Sequence, residues 1–520
     1  MYQLLLTKRY LSSKIMPLLA ALAVALCTAM VIIVWSVMGG FLVMLINSGR
    51  TLVGDVSISW PVTGFAHYED LIKRLEADPE IAGATPMIET YGLIGLPDGR
   101  TETVQVRGID GPSFAKVTEW NDILYWRPKD APDPKDTGSS DMRLRRKEVW
   151  QQIYEGGKKL TRLERSKAHP EGIDRPGVVP GISVSGFNFR EKWGFFPGTP
   201  YIRTREGDKT PAEMLMLPVD GYVTLNVLPM DSKGRAIEMV ARKFPVANEF
   251  HSGLYEIDHR TVFVQLGALQ DMLKMNRAQR VKEGTGGVVR KGDREEFAAP
   301  VVIGEEPARV TNILVRGKRD TFDPKDADKL AERCRQIYGA FAEAHPNEVP
   351  DLLSIRIQTW ADLNQTMISA VKKETALVLF IFSFVSLTAV FLVLAIFWAM
   401  VSEKTRDIGI LRAVGASRSG VAGLWLLYGA AIGITGSALG FALAYLIVSN
   451  INGIHEWLGE RLGLYIWDPR IYYFSRIPSD LQASNVAIVL AGGVVASCLG
   501  ALIPAARAAR MHPVRALRFE

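Results

Sequence analysis

Four long apolar stretches, one near the start of the chain and three in its last third, constrain this sequence more than any other feature. The first, Ile15 to Gly49, holds no charged residue; the others run about 374–401, 421–448 and 485–506 and carry none between their ends. Each exceeds the roughly 20 residues that a helix needs to cross a hydrocarbon core of about 30 Å. Lys8, Arg9 and Lys14 could open a secretory signal, but the apolar part of a signal is only about 7 to 15 residues long. A retained transmembrane helix is expected instead. Its 35 residues would extend roughly 50 Å, so the excess should leave the membrane as a stalk.

One span, a gap of more than 300 residues and then three spans is an unusual layout. Lys and Arg near the span ends set its orientation. Lys8, Arg9, Lys14, Lys404, Arg406, Arg412, Arg418, Arg507, Arg510, Arg515 and Arg518 collect on one side, against Arg50, Lys372, Lys373, Arg461, Arg470 and Arg476 on the other. Both termini and the 402–420 loop are therefore expected in the cytoplasm. The large region would lie outside, in the periplasm of a two-membrane bacterium, which makes the inner membrane the expected location. Composition agrees: 48% hydrophobic with 22% charged residues suits a membrane protein carrying a large soluble part. A net charge of +6 over 520 residues gives nucleic-acid binding no support. Of the three cysteines, Cys27 and Cys498 lie in apolar runs, which leaves Cys334 without a disulfide partner in the soluble region.

The region 50–372 alternates strand-like and helical runs. Strands are expected at Asp55 to Ser59, Thr101 to Ile109, Tyr222 to Leu228, Ile237 to Val246, Thr261 to Leu266 and Arg309 to Arg316. Helices are expected at Tyr68 to Ala77, Gly267 to Met275 and Pro324 to Ala344, the last with an apolar stripe at Leu330, Ile337 and Phe341. The fold class is thus an α-helical membrane protein of four transmembrane helices, with a large α+β periplasmic domain, in two lobes, inserted between helices 1 and 2. Three regions follow: 1–49 with the first span, 50–372 outside, and 373–520 with spans two to four. Thr359 to Lys373 should run helically into the second span as a further stalk.

Ionisable groups at membrane depth mark proton relays and ion-coupled carriers, and the spans lack them, which disfavours a secondary transporter. The third span has Gly429, Gly433, Gly436 and Gly440, and the fourth has Gly492, Gly493, Ala496 and Gly500. Small residues four apart let backbones approach closely, within one chain or at a subunit interface. No G-x-x-x-x-G-K-[ST] cradle for nucleotide phosphates occurs; GTGGVVRKGD at Gly284 to Asp293 reads as a flexible loop. If ATP drives this protein, another subunit must hydrolyse it.

The loop Ser402 to Ser417, SEKTRDIGILRAVGAS, is too polar to share the environment of its flanking spans. Ile408, Leu411 and Val414 recur at helical spacing, with Lys404, Arg406, Asp407 and Arg412 in the remaining directions. A short amphipathic helix at the membrane surface is expected, stopped by Gly415. On periodicity alone it could equally be an interfacial loop carrying positive-inside charge.

The string EKTRDIGILRAVGAS resembles the cytoplasmic coupling segment of the FtsX-like, macrolide-exporter-type ABC permeases. That resemblance implies docking on a separate ATPase through Glu403, Lys404, Arg406, Asp407, Ile408, Ile410, Leu411, Arg412 and Gly415. Further blocks resemble the lipoprotein-releasing (Lol-type) permeases: RYLSSK and SVMGGF (Ser36 to Phe41), ATPMIETYGLI (Ala84 to Ile94), VQVRGID (Val104 to Asp110) and FHSGLYEIDHRTVFVQLGALQDML (Phe250 to Leu273). WDPRIYYFSRIPSDL (Trp467 to Leu481) and PAARAARMHPVRALRFE (Pro504 to Glu520) complete them in the family's order. Departures are extra material near 125–215 and 276–305. The resemblance implies a non-catalytic subunit with no cofactor of its own, ATP and Mg being bound by the partner ATPase. It also implies a second permease subunit, identical or related, a lipoprotein cargo and a periplasmic lipoprotein carrier. A tripartite efflux permease exporting amphiphiles or peptides, and a signalling permease that switches a cell-wall hydrolase, are the alternatives.

Between Arg143 and Lys167 nine Lys or Arg face three Glu, with Met142, Leu144, Trp150, Ile153, Leu160 and Leu163 interspersed. Such a segment is either a solvated charged face or a surface for anionic headgroups or an acidic partner. His251 and His259 bracket Glu256 and Asp258, but a spacing of eight does not suit close metal ligands, so no metal is expected there. PGISVSGF at 180–187 lacks the G-x-S-x-G frame of a nucleophile elbow.

Overall fold

The computed structural model describes residues 15–97, 99–130, 146–165, 169–184, 201–203, 209–211, 218, 220–230, 235–281, 287–291, 294–298, 302–318, 324–464 and 477–517. In chain order the helices used below are α1 (Ile15–Val53), α2 (Tyr68–Glu76), α3 (Gly111–Val117), α4 (Lys147–Lys159), α5 (Leu266–Leu273), α6 (Pro324–Ala344), α7 (Gln365–Glu403), α8 (Thr405–Ala413), α9 (Arg418–Ser449), α10 (Ala483–Arg510) and α11 (Pro513–Leu517). The chain divides at 45/46 and again at 365/366 into a membrane unit and a mixed α/β unit.

Among the described residues the main sheet of the mixed unit has nine strands: β1 (Val56–Ser59), β2 (Ile81–Gly95), β3 (Thr101–Ile109), β4 (Val178–Pro180), β5 (Tyr222–Val227), β6 (Val240–Pro245), β7 (Thr261–Gln265), β8 (Asn312–Gly317) and β9 (Arg356–Thr359). Their order is β9-β1-β8-β2-β3-β7-β4, with β5 branching from β2 and β6 pairing with β5. All ladders are antiparallel except β3 with β7. Successive side chains point to opposite faces of a strand, so one strand can supply two cores. Ile313 and Val315 of β8 join Leu71 and Leu75 of α2 and Leu330, Tyr338 and Phe341 of α6. Leu314 between them joins Phe114 and Val117 of α3, Trp120, Phe250 and Phe263. The sheet is therefore covered on both faces, which is why β8 reads as an unbroken apolar run rather than an alternating one.

β2 was not among the expected strands. Its 15 residues include Gly83, Pro86, Gly92 and Gly95, which interrupt the alternation on which a strand is read. Gly92 has a specific reason to be there: a Cβ would lie 2.6 Å from the Asn226 carbonyl oxygen, at the point where β5 joins β2. Gly287 to Lys291 is a strand paired with Arg294 to Ala298, so that part of the expected flexible loop is a hairpin; 284–286 and 292–293 lie outside the described residues. A second antiparallel pair, Ala278–Val281 with Val302–Glu306, lies in the same extra stretch.

The basic segment spends its apolar side inside the unit. Trp150 and Ile153 of α4 and the following Leu160 are buried, and Trp150 packs on Trp126 with ring centroids 4.8 Å apart. Asn248, buried beside Gly157, accepts from the Trp126 and Glu249 amides and donates to the Trp126 and Ile153 carbonyls, so its amide is fully used. Only the charged side of α4 remains for solvent; Met142 and Leu144 lie outside the described residues. Cys334 is buried in α6, and burial pushes its thiol up to about 12, which leaves it unreactive.

Among the described residues of the membrane unit four helices are long and apolar enough to cross a bilayer: Met16–Met44 within α1, Ile368–Glu403 within α7, α9 and α10. α7 does not run on from β9 without a break. Thr359 caps the short helix Trp360–Leu363 through a capping box with Asp362, and Asn364 separates that helix from α7. The glycines of α9 face the chain's own helices. A Cβ on Gly429 or Gly433 would meet Ala501 or Val494 of α10, and one on Gly436 or Gly440 would meet Ala21 or Ala25 of α1. On α10, a Cβ on Gly493 would press on Ser437 and Thr28 and one on Gly500 on Val393, whereas Gly492 faces open space. Ser497 donates to the Gly429 carbonyl at 2.8 Å, a hydrogen bond between α9 and α10 where those small residues bring them together.

Candidate functional site

The segment 402–417 forms a helical elbow between α7 and α9. α7 ends at Glu403, Lys404 leaves the helical region, and α8 begins at Thr405. α8 closes in a Schellman motif: the Gly415 amide donates to the Arg412 carbonyl at 3.3 Å and the Ala416 amide to the Leu411 carbonyl at 3.0 Å. Gly415 sits at φ +105°, where a side chain is strained, so the residue read as a helix stop is the one the turn requires. Arg412 donates to the Ala416 carbonyl at 3.1 Å, and Ser417 caps α9 by accepting from the Gly420 amide. These bonds hold the end of the elbow, and at its start the Thr405 hydroxyl donates to the Ser402 carbonyl at 2.8 Å.

Its faces differ from the expected ridge. Ile408 and Gly409 are buried, Ile408 in one core with Val401, Val421, Trp425, Ala505 and Ala508, and α11 packs against α8. Leu411 is half-buried, while Val414 is the most exposed apolar side chain of the segment at 84%. Val414 continues the helical turn, its amide donating to the Ile410 carbonyl at 3.0 Å; six residues past Ile408, it lies about 120° round the helix from that buried residue. The outward stripe is instead Arg406, Ile410 and Val414, four apart, with Glu403 exposed at the end of α7. Lys404 and Asp407 pair with each other at 2.9 Å. Of the residues expected to dock, Glu403, Arg406, Ile410 and Gly415 are exposed, alongside Val414, Ser402, Ala413 and Ser417; Ile408 anchors the elbow. Of the ridge expected to face a partner or the bilayer edge, Val414 is exposed, whereas Ile408 packs into the chain's own core.

The suspected histidine pair does not converge. His259 Nδ1 lies 2.9 Å from the Ser183 carbonyl, and His251 Nε2 lies 3.6 Å from Asp258, whose other oxygen accepts from the amide and hydroxyl of Ser252. Ser183 offers its carbonyl to His259, and Ser185 lies outside the described residues. Against the sheet the mixed unit has an open cavity of about 640 Å³, lined in part by Val62, Tyr91, Met230, Ile237, Arg309 and Arg356. It is apolar with a few cationic and acidic groups, and sequence reasoning gave no sign of it.

Residues 379–513, from the second span through the elbow to α11, match the FtsX-like permease C-terminal family. The chain is a membrane protein that carries an FtsX-like permease domain. Over 167 residues it is 27% identical to the lipoprotein-releasing system transmembrane protein LolC of Neisseria meningitidis, covering 32% of this chain and 40% of that one. Over 246 residues it is 24% identical to LolE of Haemophilus influenzae, covering 44% and 58%. The matched part thus spans less than two thirds of either relative. The periplasmic region of MacB from Actinobacillus actinomycetemcomitans aligns with 61% of this chain and 95% of its own at a TM-score of 0.27 and 10% identity.

Proposed function

We propose that this chain is the non-hydrolytic permease subunit of an ABC assembly in the inner membrane, with its mixed α/β unit in the periplasm. A separate ATPase, holding ATP and Mg, docks on the elbow through Arg406, Ile410 and Val414, with Glu403 at its edge. The observation that carries this reading is the elbow itself, a helix fixed at both ends and anchored by Ile408, which still leaves Ile410 and Val414 exposed. Two apolar side chains held outward on a braced helix favour a protein partner over random exposure. Movement of the docked ATPases is passed on through α7, which transmits force by shifting between discrete packed arrangements. A second permease subunit completes the pair.

The work done outside is release of lipoproteins from the membrane, which is what the LolC and LolE relatives are named for. Each acyl methylene adds about 0.8 kcal/mol to membrane retention, so extraction of a lipid anchor needs an energy source. A periplasmic lipoprotein carrier would receive the cargo.

The test is ATPase stimulation in the assembly purified with its ATPase. Ile410→Asp and Arg406→Glu are expected to lower stimulation at least about tenfold, as loss of one buried interface anchor does, with the chain's own thermal stability unchanged. Full stimulation by the Ile410→Asp, Arg406→Glu double variant overturns the docking role, and assembly-driven release of a dye-labelled lipoprotein from vesicles, present or absent, decides the cargo.

A further inference from the structure

Two histidines and a carboxylate that sequence order keeps far apart meet at one edge of the mixed unit. His67 precedes α2, His345 follows α6 directly, and Glu348 lies three residues further on. The imidazoles of His67 and His345 stack, with centroids 4.2 Å apart and planes inclined by 11°. His67 Nε2 lies 2.5 Å from Glu348 Oε2, and one ligand atom from each of the three residues falls within 4.8 Å of the others. Among the described residues this is the only such group of three.

The surroundings are those of a supported ligand set. His345 Nε2 lies 3.2 Å from Asp70 Oδ2, and Arg74 donates to that same oxygen at 2.9 Å while also donating to the Ala340 carbonyl. A carboxylate that accepts one ring N–H fixes the tautomer and leaves the other ring nitrogen, here Nδ1, with its lone pair available. Phe341 packs against the His345 ring at 5.1 Å and limits its rotation. Because the stacked rings are nearly parallel and their lone pairs lie in the ring planes, His67 turns about its side-chain torsions when both imidazoles ligate one ion. Both histidine side chains are about three-quarters buried while Glu348 is largely exposed, so an ion can enter from solvent.

His67 also holds an unusual backbone position. It is the N-cap residue of α2 at φ +56°, yet makes no capping hydrogen bond with its side chain. Asn, Asp, Ser or Gly would serve that position better, so the imidazole is not there for the helix.

We propose that His67, His345 and Glu348 bind a divalent transition-metal ion of the zinc class, with Asp70 as the carboxylate that orients His345. Two imidazoles and one carboxylate suit Zn²⁺, Co²⁺, Ni²⁺ or Cu²⁺ and not the oxygen-seeking Mg²⁺ or Ca²⁺. Three protein ligands leave a fourth tetrahedral position to water. The ion would tie the start of α2 to the end of α6, the two helices on one face of the sheet, and does so whether or not the permease reading holds.

The test uses the full-length chain in detergent, stripped of metal and titrated with Zn²⁺ by calorimetry and with Co²⁺ by visible absorption. Expected are one equivalent of bound Zn²⁺, tetrahedral d–d bands with Co²⁺, and a Tm raised by at least about 4 °C at Zn²⁺ 100-fold above Kd. Glu348→Gln, on an exposed residue, should weaken Zn²⁺ binding at least about tenfold. His67→Asn fits the left-handed position and can cap α2, so its metal-free Tm should match or exceed the parent's while its response to Zn²⁺ disappears. Absence of stoichiometric Zn²⁺ binding by the parent chain, or a Zn²⁺ response retained in His67→Asn, overturns the proposal.

Discussion

Phenylalanine is distributed differently in the two units, although Phe397 on the second span is buried with Trp425 and Tyr428. Phe114, Phe244, Phe250 and Phe263 are fully buried in the mixed unit, whereas Phe380, Phe384 and Phe391 on the second span are more than half exposed. Water drives the first arrangement, since apolar surface is stabilised by leaving it. Lipid tails are as apolar as the side chain, so the spans gain little by hiding Phe and instead bring backbones together at glycine and serine. The mixed unit is therefore held chiefly by packed rings, whereas the membrane unit adds close backbone approach at glycine to a single ring cluster of Phe397, Trp425 and Tyr428.

The largest effect that tests this contrast is expected at Phe263, which meets Phe114, Trp120 and Phe250 at ring distances of 5.9, 4.8 and 4.9 Å. Phe263→Ala should cost the mixed unit about 3–5 kcal/mol by denaturant titration, whereas Phe380→Ala should leave the stability of the detergent-purified chain almost unchanged. Equal costs at the two sites would erase the distinction.

A smaller effect is expected from the reverse change in the membrane unit. Gly440→Val places a side chain where even a Cβ would lie 2.6 Å from the Ala25 carbonyl oxygen. It should destabilise the bundle by about 1–3 kcal/mol, read as a lowered Tm and yield in detergent, while Gly492→Val, which faces open space, should not.

The smallest concerns charge in the mixed unit. Burial raises the pKa of Glu164, but hydrogen bonds from Tyr222 and Arg162 and the charges of Arg162 and Arg175 outweigh it and hold the carboxyl below its usual value. A carboxyl depressed in the folded state contributes stability above its unfolded pKa and loses it as pH falls through the folded one. Arg162 is mostly buried and Arg175 mostly exposed, so the contribution is about 1 kcal/mol after solvent screening. Glu164→Gln should therefore lower stability at pH 7 and flatten its decline below about pH 4.5, the ordinary value of the group. An unchanged acid profile would remove Glu164 from the account.

Much of the fold was legible because its signals are local. The spans are long uncharged runs, α6 has a clear stripe, and β3 was bounded to the residue at Thr101 and Ile109. β2 was not legible, since its glycines and Pro86 are tolerated only by the neighbours that β8, β3 and β5 supply. At the elbow, residue types and the Gly415 turn could be read, but which of Ile408, Ile410 and Val414 faces outward could not, because that depends on the core that receives Ile408.

By itself the sequence determined that this chain crosses a membrane, where its hairpin of charge lies, and that a large folded region interrupts its spans, because length, apolarity and charge act residue by residue. Tertiary structure alone decided which elbow side chains are left for a partner, which glycines meet which helix, and that His67 and His345 become neighbours across 278 residues of chain. Those outcomes depend on non-local packing, in which side chains distant in sequence compete for the same space, and no period or motif encodes the winner.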